Sequence, residues 1–326
     1  MSTPTRPLIV RLRNWVGDTA LGLPTLQRLS DAGYALQLIG KGWARDLLAG
    51  HGWTVHVLPR HWRERVAQLR GLRAQALALD PGFDARLNAV AWPYSFSSAL
   101  EMRLAGLRAI GHAHEGRGLL LARSVARPHE HPKRHELEVY WQLASALLGS
   151  DAPLPTRIDL RPSAQHQAQA AALLARYGIG AGFVVICPFA GGTFSGQDKT
   201  WPAFSDFAAQ ELATLGRRVV ICPGPGEEAL AATHFAGTTL LPDVTLGTYA
   251  ALLQAAALMI SNDTGPGHMA AAVGTPLVSV LGPSDPAQWR AWGPGVQIVQ
   301  GRRDWPARGE VLAAARLALA SQRQHT

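Results

Sequence analysis

Residues 258–281 read LMISNDTGPGHMAAAVGTPLVSVL: an apolar run, a turn of small and polar residues, a small-residue helix pattern, and a second apolar run. A strand, a helix and another strand in that order imply a parallel sheet with the helix as crossover. Working outward, the same alternation fills the second half of the chain. FVVIC (183–187) reads as a strand and WPAFSDFAAQELATLG (201–216) as a helix, followed by a strand at RVVIC (218–222). A GPGEE turn (224–228) leads into a helix, then come a strand at TTLLP (238–242) and a helix at TLGTYAALLQAA (245–256). In the first half, strands are expected at PLIVRL (7–12), ALQLIG (35–40) and TVHVLP (54–59), with helices over 18–32 and 43–50 between them. Beyond these the reading places a helix over 61–77, a short strand at 77–79, a helix over 95–107, a strand at 108–111 and a long helix over 134–148. Residues 116–135 are basic and proline-containing and resist assignment.

The fold class that follows is α/β, two Rossmann-like doubly wound domains with a ligand cleft between them. The Pro-rich DAPLPTRIDLRP (151–162) is the linker, so the domains run 1–160 and 161–326. The last helix, 309–322, is expected to cross back onto the first domain. Apolar residues at 47% and charged residues at 17% suit a globular protein, and no stretch approaches the roughly 18 apolar residues of a membrane helix. Cys187 and Cys222 make no CxxC pair, which points to a reducing cytoplasm and away from disulfide or zinc chemistry. The net charge of +8 lies wholly in residues 1–165, so the first domain either meets something acidic or carries a solvated, arginine-biased surface. No zinc finger, RNA-binding signature or aromatic-basic stripe is present, which ranks nucleic acid low.

The chemistry concentrates at strand-to-helix turns. Gly265 and Gly267 allow close backbone approach. The helix N-terminus at Thr264 to His268 suits a phosphate, while Asp263 or Thr264 as an ordinary helix cap is the alternative. The loop CPFAGGTFSGQDKTWP (187–202) offers glycines, the hydroxyls of Thr193 and Ser195, and Lys199, one of three lysines among 28 arginines. It lacks Walker spacing, which disfavours nucleotide triphosphate hydrolysis. Glu227 and Glu228 follow a strand end, where an acid commonly accepts from ribose hydroxyls; stabilising their helix dipole is the plain alternative. At the first turn Asp18 suits a general base or a helix cap, with Arg11 and Arg13 beside it as candidates for an anionic acceptor. His129, His131 and His135 lie among basic residues, and a solvated loop is favoured over a metal site.

The stretches VGDTALGLPTLQRL, SALEMRLAGLRAIGH, HELEVYWQLASALLG, DKTWP and NDTGPGHMAAAVGTPLVSVLGPSDP together resemble the lipopolysaccharide heptosyltransferases of glycosyltransferase family nine, over most of the chain. The resemblance implies the two-domain GT-B fold, ADP-heptose as donor, and an inner-core Kdo or heptose as acceptor. With no metal motif in the sequence, a single inverting displacement without a metal or other cofactor is the expected mechanism. By the same resemblance Asp18 is the base, Lys199 contacts the diphosphate, Asp263 lies near the donor sugar, Thr264 and Gly265 form the turn on the phosphates, and Glu227 or Glu228 serves the ribose. The expected setting is the cytoplasm, with peripheral contact at the inner membrane. Competing readings keep the fold but change the sugar or acceptor, make the chain a nucleotide-sugar epimerase, or make it a non-catalytic nucleotide-sugar-binding protein.

Overall fold

The computed structural model describes residues 6–127, 134–191, 193–194, 196–282, 284–302 and 304–322, the side chains of 193, 194 and 322 excepted. Two units divide the chain, residues 1–155 and 156–326. The break precedes the expected one because Ile158 and Leu160 are buried and the Leu160 N–H donates to the Ala272 carbonyl of the second unit.

In the first unit the strands are β1 (Arg6–Arg11), β2 (Tyr34–Gly40), β3 (Thr54–Val57), β4 (Ala89–Ala91), β5 (Ala109–His112) and β6 (Arg123–Val125). All pair in parallel, in the order β3-β2-β1-β4-β5-β6. The helices are α1 (Val16–Asp31), α2 (Gly42–Leu47), α3 (Trp62–Leu79), α4 (Phe96–Leu104) and α5 (Glu136–Leu148). Helix α3 buries Val66, Leu69, Leu72 and Ala76, a helical spacing that turns one face to a core shared with Ile9, Ile39, Phe83 and Met102. The strand expected at 77–79 is the end of that helix, and β4 takes its place in the sheet. Helix α5 packs on α1. Gly22 of α1 is needed there, because a Cβ would meet the Trp92 ring at 2.4 Å, and Trp92 in turn lies against Tyr140 of α5 at 4.8 Å between ring centroids.

The second unit opens with α6 (Ala164–Arg176), capped by Ser163, a helix not anticipated from the linker-like sequence before it. Its sheet holds β7 (Val184–Cys187), β10 (Val219–Ile221), β11 (Thr239–Leu240), β12 (Leu258–Asn262), β13 (Leu277–Leu281) and β14 (Val296–Gln300) in the order β11-β10-β7-β12-β13-β14, again all parallel. Between β7 and β10 runs a small antiparallel hairpin, β8 (Thr193–Phe194) with β9 (Gln197–Asp198). Helices α7 (Phe204–Gln210), α8 (Glu228–His234), α9 (Leu246–Ala255), α10 (Gly265–Val273), α11 (Pro286–Trp289) and α12 (Arg308–Gln322) complete it. Strand β14, VQIVQ, escaped the sequence reading because it is a half-buried edge strand whose glutamines interrupt any apolar run. Helix α12 belongs to the second unit. Its Val311, Ala315, Ala318 and Leu319 join the core under β7, β10, β12 and β13. No described helix is long and apolar enough to cross a membrane.

Candidate functional site

Both sheets reverse their strand order at one point, between β1 and β4 in the first unit and between β7 and β12 in the second. Ligands of doubly wound sheets bind outside the carboxyl ends of the strands at such points. The singled-out residues that follow β1, β7 and β12 therefore stand where this topology makes sites.

In the first unit α1 starts at Val16 with Trp15 as its cap residue, which places Asp18 at the third helical position and not at the cap. Asp18 is 8% exposed. Tyr140 donates its hydroxyl to Asp18 Oδ1 at 2.7 Å, and Arg13 Nη1 lies 2.9 Å from the same oxygen. Both contacts fall on Oδ1. Arg13 Nη1 also donates to Glu136 Oε1 at 2.7 Å, and Tyr94 donates to that oxygen at 2.7 Å. Burial pushes the Glu136 carboxyl upward, opposed by Arg13 and Tyr94. The cluster joins α1, α5 and the loops after β1 and β4 into one hydrogen-bonded group.

Arg11, expected to meet an acceptor, is instead buried against Glu101, whose Oε2 it approaches at 3.2 Å. A buried guanidinium needs a carboxylate partner, and this pair uses Arg11 for structure. Arg13 keeps 19% of its side-chain surface beside Asp18. His135 is not part of a solvated loop either. It is buried, and its Nδ1 accepts from the Leu137 N–H as the cap of α5. His129 and His131 lie outside the described residues. Among the described residues no group of three or more His, Cys, Asp or Glu is placed to hold a metal ion.

In the second unit Lys199, which follows β9, puts its Nζ 3.1 Å from Asp263 Oδ2 just beyond β12. Ser284 donates to the same oxygen at 2.6 Å, and His268 Nε2 lies 3.9 Å from Oδ1. Thr264 is the cap of α10, accepting from the Gly267 N–H at 3.4 Å. Gly267 cannot carry a side chain, since its Cβ would fall 2.7 Å from Ser261 Oγ. Thus Lys199, Asp263 and the start of α10 come together. Thr193 has no described side chain and Ser195 lies outside the described residues.

Glu227 and Glu228 both bond to their own turn: Glu227 accepts from the Gly224 N–H at 2.8 Å and Glu228 from the Gly226 N–H at 2.9 Å. They differ in what else they face. Glu228 is exposed, whereas Glu227 is half-buried and lies close enough to Cys187 and Tyr249 to add to the upward push that burial, the main cause, gives their pKa values.

Asn262 ties the loop after β7 to the segment before α7. Fully buried, it donates from Nδ2 to the Pro188 carbonyl at 2.6 Å and accepts the Trp201 N–H on Oδ1 at 3.1 Å. The sequence reading quoted Asn262 without giving it a role, and it passed over Glu136 and Tyr140. The signal for the last two was their spacing of four residues at the start of an amphipathic helix, which sets both on one face.

A family model described as glycosyltransferase family 9 (heptosyltransferase) matches residues 80–311. Lipopolysaccharide heptosyltransferase 3 of Escherichia coli is 36% identical over 125 residues, 35% of this chain and 35% of that protein. Lipopolysaccharide heptosyltransferase 1 of Escherichia coli (strain K12) is 32% identical over 114 residues, 33% of this chain and 35% of that protein. The matches thus span about a third of these relatives. Among solved structures, the ADP-heptose lipopolysaccharide heptosyltransferase II of E. coli superposes with a TM-score of 0.78 at 23% identity, covering 98% of this chain and 99% of that one. A family 9 glycosyl transferase from Veillonella parvula DSM 2008 does so at 0.81 with 15% identity, again over 98% and 99%. The fold is GT-B, as the sequence led one to expect.

Proposed function

Because the chain belongs to glycosyltransferase family 9, the heptosyltransferases, we propose that it moves a heptose from ADP-heptose to an anionic inner-core sugar of lipopolysaccharide, by a single inverting displacement. The observation that carries this reading is the meeting of Lys199 with Asp263 at the N-terminus of α10, beside the switch point of the second sheet. An ammonium and a helix N-terminus are what a departing diphosphate needs, since both stabilise growing negative charge without rearranging. Asp263, which holds Lys199 in place, faces the same region and is the acid nearest the sugar. Glu227 receives the ribose hydroxyls in preference to Glu228, because it is the half-buried one of the two and lies close to Cys187 at the end of β7 and to Tyr249 of α9.

Asp18 takes the acceptor proton on Oδ2 as the acceptor oxygen attacks the anomeric carbon, and the bond from that carbon to the diphosphate breaks. Positioned general bases contribute about 10² to 10⁴-fold. Support for the role comes from its geometry. Two donors fix the rotamer through Oδ1, which leaves Oδ2 for an incoming hydroxyl. The excess of positive charge in residues 1–165 favours an acidic glycolipid and peripheral contact with an anionic membrane surface. The chemistry invokes no resident metal, so turnover is expected to persist in EDTA.

Calorimetric titration with ADP, UDP, GDP and ADP-heptose tests the donor assignment, with Lys199→Ala as control. Selective binding of ADP and ADP-heptose, weakened in the variant, supports the proposal. Preference for UDP or GDP removes the heptose from it, and absence of nucleotide binding removes the transfer altogether.

A further inference from the structure

Glu136 has no task in the transfer chemistry, yet it sits with no exposed surface beside the carboxylate assigned as base. Its Oε1 receives Arg13 Nη1 and the Tyr94 hydroxyl, each at 2.7 Å, while Oε2 is buried and has no hydrogen-bond partner among the described residues. The same Arg13 nitrogen lies 2.9 Å from Asp18 Oδ1 and 3.3 Å from the Tyr140 hydroxyl. One nitrogen is therefore shared between two carboxylates. An arginine alone with an aspartate tends to form a two-pronged pair, which holds the aspartate strongly ionised and makes it a poor base.

We propose that Glu136 is a positioning residue that sets the base strength of Asp18 by competing for Arg13. The proposal rests on Asp18 being the general base. Glu136 draws part of the guanidinium to itself and adds a second negative charge to the cluster, and both effects make the Asp18 carboxylate readier to accept a proton. Helix α5 delivers Glu136 and Tyr140 on one face, so a single element supplies the competitor for Arg13 and the hydroxyl that fixes Asp18. The other charged or titratable groups around the cluster reach it through Tyr94. Arg127 covers that ring at 4.4 Å, and His112 and His114 pack against it at 6.3 and 5.9 Å. Arg127 lies on the Glu136 side and opposes its ionisation penalty. The upward push that burial gives Glu136 agrees with a carboxyl under strain from its neighbour, since Asp18 adds to that push.

The test is a titration of the Asp18 carboxyl carbon by nuclear magnetic resonance in protein labelled at aspartate, the signal being identified by its loss in Asp18→Asn. It needs no substrate. Glu136→Gln keeps the shape and an acceptor for Tyr94 but removes the charge, so the Asp18 signal should move to lower pH than in the parent protein. The acid limb of the kcat profile measured with ADP-heptose should move by the same amount to lower pH, with KM for both substrates unchanged. Tyr94→Phe, which removes the other donor on Oε1 and leaves Glu136 freer to draw Arg13, is the companion should Glu136→Gln fold poorly, and it should give a smaller shift of the opposite sign. An Asp18 pKa unmoved in both variants overturns the proposal, as does a loss of stability without any shift, which marks Glu136 as structural only. Failure of the underlying reading looks different: Asp18→Asn would then retain full turnover.

Discussion

Tyr140 donates its hydroxyl to Asp18 at 2.7 Å across 122 residues of chain. Helix α5 thereby fixes the rotamer of a carboxylate carried by α1, and a hydrogen bond to a charged acceptor of this kind contributes about 1.5–3 kcal/mol. The pair converts the packing of two helices into the orientation of one functional group.

Replacing Asp18 with Asn removes the base and keeps the shape. Turnover should fall by about 10² to 10⁴-fold, while the calorimetric Kd for the donor stays within error of the parent. Equal loss of binding and turnover would assign Asp18 to donor binding or folding.

Lys199→Ala takes a charge-assisted contact from the diphosphate. Since such contacts contribute about 1.5–3 kcal/mol, donor affinity should weaken by about 10- to 100-fold. Unchanged affinity would leave Lys199 as a mere partner of Asp263.

Asn262→Ala leaves the Trp201 N–H and the Pro188 carbonyl without their partner. An unpaired buried polar group costs about 1–3 kcal/mol, so urea unfolding should show a loss of at least about 2 kcal/mol together with weaker donor binding. Stability lost without any change in donor affinity would confine Asn262 to the fold.

How far the sequence alone reached is clearest at these same positions. The turns after β1, β7 and β12 were legible because apolar runs stop there and small or capping residues begin. Asp18, Lys199 and Asp263 stand out in such turns by residue type alone. Glu136, Tyr140 and Asn262 did not, because their meaning lies in partners distant in sequence; Asn262 meets Trp201 across 61 residues. Arg11 was misread for the same reason, its carboxylate partner Glu101 being 90 residues away. Local pattern also failed where burial is partial, as at β14, or where an alanine-rich helix such as α6 follows a proline-rich stretch.

The Arg11–Glu101 pair gives a stability prediction. Glu101→Ala strands a buried guanidinium and should cost about 3 kcal/mol, whereas Arg65→Ala, which removes the more exposed of the two cations on Glu101, should cost under about 1 kcal/mol. Equal midpoints in urea for the two variants would contradict this ranking.

The thiols should be silent in the native protein. Burial pushes Cys187 up to about 12 from an ordinary 9.0, and Cys222 is displaced in the same direction for the same reason. A raised pKa depletes thiolate, so at pH 8 a disulfide reagent should react with Cys187 far more slowly than with a free thiol, and fast with both cysteines after unfolding. Rapid native labelling would show that the strand ends open.

The account stands most directly on transfer itself. The purified protein is incubated in EDTA with ADP-heptose and a Kdo-bearing inner-core glycolipid, and the acceptor is weighed by mass spectrometry. The expected result is a gain of one heptose, absent with Asp18→Asn. No gain from ADP-heptose, or a gain only from a different nucleotide sugar, would contradict it.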